Sequence, residues 1–354
     1  MHSFERRTHE QKNEDPEQDM TIDLFDRTQA MSWGVAIGDA LGLPFETKQF
    51  GEIDEDFEGD KTYRPIRNHV FISDCPPGTT SDDQQLTRAT MQALISDSGL
   101  TLEGQAKALV AAYKETTFGW GGTTKTAVRR LLAGESPTTS GRVIEEGKGA
   151  GNGVNMRLSP VAAMIVAEGR AVGDYLDALA GFAGITHQSS AVAQCTLAHV
   201  AVLCELLKTE PKNFDPDRIV DLLVSHAELG EQFFPEQPSP FDLKERFESL
   251  RDASNLTDQE IVDRYGGGAC PVFHSIPFSF AFFLREPHSY RAVYDAINSG
   301  GDTDSNASIV GGLLGALNGM EIVPPEYIEQ LPTAHEISTT QRQFEELLRK
   351  VGAR

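Results

Sequence analysis

Two short stretches of this sequence bring hydroxyl and carboxylate groups to the start of an apolar run. They lie within PGTTSDDQQLTRATMQAL and SGGDTDSNASIVGGLLGALNG, far apart in the chain. Each offers one serine and two aspartates: Ser81, Asp82 and Asp83 in the first, and Asp302, Asp304 and Ser305 in the second. Four converging carboxylates repel one another unless hard cations share them, and Mg²⁺ and Mn²⁺ accept such oxygen ligands. We therefore predict that the two stretches converge on two Mg²⁺ or Mn²⁺ ions.

Each stretch also has an ordinary structural explanation. Ser81 followed three residues later by Gln84 is a capping box, and Asp82 and Asp83 would complement the positive end of a helix dipole. The second stretch can likewise begin a helix with acidic residues in its first turn. Taken alone, the first stretch is best explained as a helix cap, so the prediction of a metal site depends on the two stretches together.

Two other metals fit poorly. Asp302, Asp304 and Asn306 match the first positions of an EF-hand loop, but Ala307 replaces the glycine and Leu313 the bidentate carboxylate that calcium requires there. Neither stretch contains His or Cys, which argues against zinc.

Helical periodicity dominates the sequence from residue 27 onward, and alternating strand patterns are confined to fragments such as HVFI at 69–72. We predict an all-α fold, a compact multi-helix single domain over residues 23–354 that follows a disordered charged leader over 1–22. Residues 230–247 are interpreted as a long surface connection. Helices are predicted at 27–40, 82–97, 102–115, 123–133, 155–168, 173–183, 188–208, 216–228, 257–264, 274–285, 288–298, 303–318 and 338–351.

Composition and charge exclude several function classes. The 53 acidic and 31 basic side chains give a net charge of -22, which repels nucleic-acid phosphate and anionic lipid, so nonspecific nucleic-acid binding is not expected. No apolar run is long enough to span a bilayer, and the N-terminal stretch lacks the apolar segment of a secretory signal. The four scattered cysteines fit reduced thiols. We expect a cytoplasmic protein without a membrane partner.

Five glycine-rich segments lie where apolar helices begin or end: GVAIGDALGLPFE, FGWGGTT, GKGAGNGVNMR, YGGGACP and SGGDTD. Any single one could be a cap or a tight turn. Five together, several coupled to Asp, Asn, Glu or Arg, indicate backbone shaped to approach a ligand closely.

Six ordered motifs resemble those of the ADP-ribosylglycohydrolases, the group that includes dinitrogenase-reductase-activating glycohydrolase and the ARH-type hydrolases. The motifs are GVAIGDALGLPFE, TTSDDQQLT, FGWGGTT, GNGVNMRLSP, THQSSAVAQ and SGGDTDSNASIVGGLLGALNG. The resemblance covers nearly the whole chain. It implies an all-α domain with a binuclear magnesium or manganese centre, in which the serines and aspartates of the two acidic stretches are ligands.

The resemblance also implies roles for single residues. Glu46, Asp83 and Asp302 would be catalytic, with Glu46 acting as acid, base or gate. Eight residues would line a groove for the ADP-ribose moiety of a modified protein or small conjugate: Gly119, Gly121, Gly122, Gly149, Gly151, Asn152, Gly153 and His187. By itself His187 is more typical of a structural histidine, and Asn152 and Arg157 could equally be internal supports.

The sequence departs from the family pattern at three places. Ser81 and Gln84 replace the two threonines of T-D-D-T-Q, and Ser305 replaces the threonine after the second aspartate. Serine keeps a hydroxyl ligand, whereas Gln84 does not. The family's T-H-P becomes Thr186-His187-Gln188, so these changes bear on the substrate subclass more than on the metal site.

Three functions are compatible with these residues. The favoured one is a hydrolase that uses a two-metal centre to activate water and cleave the glycosidic bond between ADP-ribose and an acceptor. The second is a non-catalytic ADP-ribose-binding protein, regulatory or an immunity factor, on the same fold. The third is a two-metal phosphohydrolase, which the absence of histidine from both acidic stretches disfavours.

Overall fold

The computed structural model describes residues 23–145 and 148–353 and is built from α-helices. The predicted leader at 1–22 and Gly147, the first residue of GKGAGNGVNMR, lie outside the described residues. Fifteen α-helices occur in the described ranges. They are α1 Leu24–Gly42, α2 Asp82–Asp97, α3 Leu102–Glu115, α4 Gly122–Leu132, α5 Ser159–Ala167, α6 Leu176–Gly184, α7 Ser190–Leu206, α8 Pro216–Gly230, α9 Leu243–Glu248, α10 Asp258–Arg264, α11 Val272–Arg285, α12 Arg291–Asn298, α13 Thr303–Asn318, α14 Pro325–Gln330 and α15 Ala334–Gly352.

The all-α, multi-helix single domain predicted from the sequence is confirmed, while its bounds at 23–354 stay a prediction. No strand occurs in the two described ranges, and the HVFI fragment lies in a loop. None of the described helices is both long and apolar enough to cross a bilayer.

The surface connection predicted at 230–247 is wrong at both of its ends. Helix α8 continues through Gly230, and helix α9 begins at Leu243. Asp242 caps α9 by accepting hydrogen bonds from the backbone amides of the second and third residues beyond it. Leu243 and Phe247 are buried. Two apolar residues in a six-residue helix are too few to produce a recognisable helical period. The six-residue helix α14 is not predicted from the sequence for the same reason.

Helices α1 and α13 pack backbone against backbone in antiparallel directions. A Cβ atom at Gly34 would lie 2.1 Å from the Gly311 carbonyl oxygen, and one at Gly38 would lie 2.5 Å from the Ala307 carbonyl. The small residues recur every fourth position on both helices, which lets the two backbones meet over several turns. This packing places Asp39 of α1 beside the first turn of α13.

The loops that follow α1 and precede α13 are also joined. The Thr47 amide donates to the Gly301 carbonyl at 2.8 Å, and the Gly301 amide donates to the Lys48 carbonyl at 2.8 Å. Gly301 has φ +85°, and a Cβ there would lie 2.1 Å from the Gly267 carbonyl oxygen. The pairing fixes Glu46, just after α1, next to Asp302, just before α13.

A smaller apolar cluster holds α4 against α2 and α3. Leu86, Leu109, Trp120 and Val128 are buried in it. The Trp120 indole donates to the Gln85 side-chain oxygen at 2.8 Å. The FGWGGTT segment is thereby held over the start of α2, which brings its glycines to the first acidic stretch.

Candidate metal centre

Carboxylates from three helix ends converge at the mouths of α1, α2 and α13. Oxygen atoms of Asp39, Asp83 and Asp304 lie within 4.8 Å of one another, and so do oxygen atoms of Glu46, Asp302 and Asp304. Asp304 belongs to both groups. These five residues are called the acidic centre below. The two distant stretches of the sequence therefore meet in the fold, and two adjacent groups of oxygen ligands result.

Asp39 was not predicted from the sequence as a member of this centre. Its carboxylate accepts hydrogen bonds from the Ser81 amide at 2.8 and 2.9 Å, the Ser81 hydroxyl at 2.8 Å and the Gln84 amide at 3.1 Å. The cap of α2 is thus an aspartate of another helix, and the capping box inferred for Ser81 and Gln84 is wrong because the Ser81 side chain makes no such bond. The single carboxylate in the apolar, glycine-rich segment GVAIGDALG, the second half of α1, was the signal that could have revealed it.

The remaining predicted metal ligands lie around this centre. The Ser81 hydroxyl is 3.3 Å from Asp304 Oδ2, and the Ser305 hydroxyl is 3.3 Å from Asp83 Oδ2. Asp82 lines the same cavity as Glu46 and Asp304, and its Oδ2 accepts a hydrogen bond from the Gly121 amide at 3.2 Å. Asp82 belongs to neither three-carboxylate group, so its role as a ligand stays a prediction.

Burial and mutual repulsion raise the pKa values of five carboxyl groups at this site: Asp39, Glu46, Asp82, Asp83 and Asp304. Burial raises the pKa of Asp39 to about 6, although hydrogen bonds from Ser81 and Gln84 oppose the shift. Burial and then the charge of Asp39 raise the pKa of Asp82 to about 7. For Glu46 the pKa rises to about 8, because of burial first and then the nearby charge of Asp302.

The pKa values of two further buried carboxyl groups shift in the same direction. Burial, followed by neighbouring carboxylates, raises the pKa of Asp83 and of Asp304 well above the ordinary value. Without a positive partner, the folded chain favours protonation of this centre. A divalent cation would reverse that preference.

The protein supplies little positive charge to the acidic centre. Among the described residues Glu46 alone of its five members lies within ion-pairing distance of a basic residue, His69, whose Nε2 is 3.2 Å from Glu46 Oε2. Burial lowers the pKa of this imidazole, which favours its neutral form. Asp83 Oδ1 is buried and has no hydrogen-bond partner. Mg²⁺ and Mn²⁺ bind sets of oxygen ligands, and such an ion would give the unpaired carboxylate oxygen a partner. The residues present therefore fit a metal site.

A cavity of about 160 Å³ opens beside the acidic centre. Seven of the eight residues predicted to contact substrate line it: Gly119, Gly121, Gly122, Gly151, Asn152, Gly153 and His187. Gly149 instead lines a neighbouring cavity of about 380 Å³, which shares Gly122 and Thr123 with the first. The two cavities meet at the N-terminus of α4, where backbone amides are available to an anion.

The Asn152 side chain is engaged by the protein. Its Nδ2 donates to Asp302 Oδ2 at 2.8 Å and to the Ser275 hydroxyl at 3.0 Å, and the Cys270 thiol lies 3.5 Å from its Oδ1. Ser275 in turn donates to Asn306 Oδ1 at 2.8 Å. The network holds the Asp302 carboxylate in place, while a contact between Asn152 and substrate stays a prediction.

His187 lines the cavity, whereas Arg157 does not, and both side chains are buried. Burial, followed by the charge of Arg157, lowers the pKa of His187 to about 3, so the imidazole is neutral near pH 7. The Arg157 Nε donates to the Gly153 carbonyl at 3.1 Å, and its guanidinium lies 4.4 Å from the centre of the Phe182 ring. Arg157 therefore supports the loop that carries Gly153.

Similarity to known proteins is consistent with this site. Residues 20–353 match the family model described as ADP-ribosylglycohydrolase. The chain is 27% identical to mouse ADP-ribosylhydrolase ARH3 over 334 residues, which covers 83% of this chain and 84% of that protein. It is 26% identical to the human ARH3 over 83% of this chain and 86% of that protein.

Two further matches extend the range of relatives. An uncharacterised Escherichia coli protein, YegU, is 24% identical, with 86% of this chain and 91% of that protein covered. A solved structure described as an ADP-ribosylglycohydrolase-related protein complex superposes with a TM-score of 0.63 at 22% identity, over 92% of this chain and 99% of that one, and so shares the fold. The chain belongs to the ADP-ribosylglycohydrolase family, a family of glycosidase-type hydrolases.

Proposed function

We propose that this protein is a divalent-metal-dependent hydrolase that cleaves the glycosidic bond between ADP-ribose and an acceptor. The observation that carries the proposal is the acidic centre, two adjacent groups of three carboxylates beside a cavity in a chain of this family. Asp39, Asp83 and Asp304 would hold one ion, and Glu46, Asp302 and Asp304 the other. Bound Mg²⁺ or Mn²⁺ would neutralise the carboxylates and lower the pKa of a water molecule.

The protein's own groups would orient the substrate and move the proton. Glu46 stands at the cavity edge with its side chain 24% exposed, and its pKa is raised to about 8. Bound cations would hold this carboxyl group ionised, so Glu46 would act as the base that accepts a proton from water. The buried carboxylates would stabilise the positive charge that develops at the anomeric carbon.

The N-terminus of α4 is the proposed anchor for the diphosphate. Gly122 and Thr123 line both cavities, so a diphosphate there would place its two sugars in different cavities. A Cβ at Gly122 would meet no atom within 4 Å, so the backbone faces open space. The Gly121 amide already donates to Asp82, which leaves the first amides of the helix itself for the ligand. The neutral imidazole of His187 would add a hydrogen bond.

The test is the release of ADP-ribose from defined conjugates. Purified protein is incubated with arginine-, serine- and nucleic-acid-linked ADP-ribose, with Mg²⁺, with Mn²⁺ and with EDTA, and free ADP-ribose is quantified by chromatography. We expect metal-dependent release from at least one conjugate. Asp304→Asn is the matched control, since it keeps the side-chain size and should be inactive. Metal-independent release, or release of AMP or phosphate in its place, would contradict the proposal.

A further inference from the structure

The loop at 67–74, here called the rim loop, exposes two adjacent apolar side chains. Its ends are joined because Ile66 and Cys75 exchange backbone hydrogen bonds of 3.0 and 3.2 Å. At its tip Val70 is 72% exposed and Phe71 70% exposed. Two such neighbours in water lack the hydrophobic stabilisation that burial would provide. The site described above makes no use of them.

A short series of contacts connects this tip to the acidic centre. His69 Nδ1 accepts hydrogen bonds from the Phe71 amide at 3.1 Å and the Ile72 amide at 3.3 Å. A neutral imidazole that accepts at Nδ1 carries its proton on Nε2, and Nε2 lies 3.2 Å from Glu46 Oε2. The Phe71 ring packs against the edge of the His69 ring, with 6.1 Å between centroids. Phe71 is therefore separated from the Glu46 carboxylate by a single side chain.

The charge near the rim loop limits what can bind it. Residues 51–60, GEIDEDFEGD, hold six carboxylates and no basic side chain. The basic residues that follow are already paired: Lys61 with Glu326, Arg64 with Glu55 and Asp60, and Arg67 with Asp74. Nucleic-acid binding depends on cations free to contact phosphates. An acidic surface with an apolar tip is complementary to a polypeptide that combines basic and apolar side chains.

We propose that the rim loop docks the polypeptide that carries the ADP-ribosylated side chain, with Val70 and Phe71 packing on an apolar residue close to the modified one. The inference rests on the proposed function and adds the place where the acceptor binds. The modified side chain would then enter beside Glu46, because His69 links the loop to that carboxylate. The acidic segment at 51–60 would favour acceptors with basic residues near the modification.

The experiment compares a double variant, Val70→Ser with Phe71→Ser, with the wild-type chain. Leu229→Ser is the matched control, because Leu229 is a 40% exposed apolar residue on α8 that lines neither cavity. Steady-state hydrolysis is measured on an ADP-ribosylated peptide with basic and apolar flanking residues, on the same linkage in a single ADP-ribosylated amino acid, and on a nucleic-acid conjugate.

We expect KM for the peptide to rise at least about tenfold in the double variant, the effect of losing roughly 1.4 kcal/mol of apolar contact. Hydrolysis of the single amino-acid conjugate should be unchanged, and Leu229→Ser should match wild type on every substrate. Equal losses on the peptide and on the single amino acid would overturn the inference, since the loop would then only support Glu46. An unchanged KM for the peptide, or a loss confined to the nucleic-acid conjugate, would also overturn it.

A binding measurement keeps this inference separate from the proposed function. Fluorescence anisotropy with a labelled, unmodified form of the same peptide reports docking even where no conjugate is hydrolysed. The dissociation constant should rise about tenfold in the double variant. Turnover of the single amino-acid conjugate without any difference in peptide binding would refute docking and leave the hydrolase intact. Weaker peptide binding by the double variant, without turnover of any conjugate, would support docking and contradict the proposed hydrolase function.

Discussion

Two groups of buried polar residues lie beside the same cavity, and they are satisfied in different ways. The Arg157 guanidinium donates hydrogen bonds to the Gly153 carbonyl and the Thr90 hydroxyl and lies over the face of Phe182. The acidic centre gathers carboxylates of one sign, with Asp83 Oδ1 left unpaired. Arg157 Nη2 is also unpaired, but the Arg157 group holds one charge, whereas the acidic centre holds several charges of the same sign.

This difference distinguishes a buried charge that supports the fold from buried charges that could bind an ion. Burying one charge is tolerable where hydrogen bonds and an aromatic ring surround it. Burying several like charges is unfavourable unless an ion is bound, because each carboxylate raises the pKa of its neighbours. The acidic centre should therefore depend on metal for both stability and activity, while the contribution of Arg157 to stability should not depend on metal.

Replacing the shared carboxylate should have the largest effect. Asp304→Asn removes one charge from both three-carboxylate groups, so we expect ADP-ribose release to fall about 10³-fold or more, equivalent to roughly 4 kcal/mol of transition-state stabilisation. Steady-state assays measure the loss. In thermal unfolding at pH 8 with EDTA, the variant should be more stable than wild type, because it relieves repulsion.

Truncation of the Arg157 side chain should lower the stability of the protein whether or not metal is bound. Arg157→Ala leaves the Gly153 carbonyl without its donor and empties the space over Phe182, so we expect a loss of about 3 kcal/mol in the free energy of unfolding. Urea denaturation should give the same loss with Mg²⁺ as with EDTA. A loss that appears only with Mg²⁺ present would join Arg157 to the metal centre and break the distinction.

The pH dependence of stability should depend on the metal. A carboxyl whose folded pKa exceeds its unfolded value of about 4 binds more protons when folded, so stability falls as pH rises between those values. For metal-free protein this window runs from about pH 4 up to the raised values of about 6 for Asp39, 7 for Asp82 and 8 for Glu46.

Bound cations keep the carboxylates ionised and remove this slope. We therefore expect the gain in melting temperature on adding Mg²⁺ to be several degrees greater at pH 8 than at pH 5.5, with differential scanning fluorimetry as the measurement. An equal gain at both pH values would show that the acidic centre is not where Mg²⁺ binds.

The smallest effect concerns the packing that assembles the acidic centre. Gly311→Ala introduces a Cβ about 2.4 Å from the Gly34 carbonyl oxygen, so α1 and α13 must separate, at a cost of about 1–3 kcal/mol. Because Asp39 and Asp304 lie on those helices, calorimetry should also show weaker Mg²⁺ binding.

Gly312→Ala on the same helix is the matched control, since its nearest neighbour would be the Ser159 hydroxyl at 3.3 Å. We expect Gly312→Ala to change the free energy of unfolding by less than about 1 kcal/mol and to leave the Mg²⁺ affinity the same. Equal effects of the two substitutions would mean that α1 and α13 need not be in backbone contact.

The sequence allowed much of this arrangement to be predicted, and the failures have physical causes. Helices α2, α3 and α13 begin and end where the sequence predicts, and the family resemblance is confirmed. Asp39 was not predicted because its role arises from a contact between α1 and α2, and a carboxylate in an apolar segment does not identify its partner. The same contact explains why the Ser81 side chain does not cap α2, since its hydroxyl donates to Asp39.

Whether the acidic centre binds two cations is the claim on which the account depends most. Anomalous diffraction at the manganese edge, from crystals of the protein soaked in Mn²⁺, measures it directly. We predict two peaks, one among Asp39, Asp83 and Asp304 and the other among Glu46, Asp302 and Asp304, and their loss in Asp304→Asn. Ordered carboxylates with no peak between them, or peaks only elsewhere on the protein, would contradict the account.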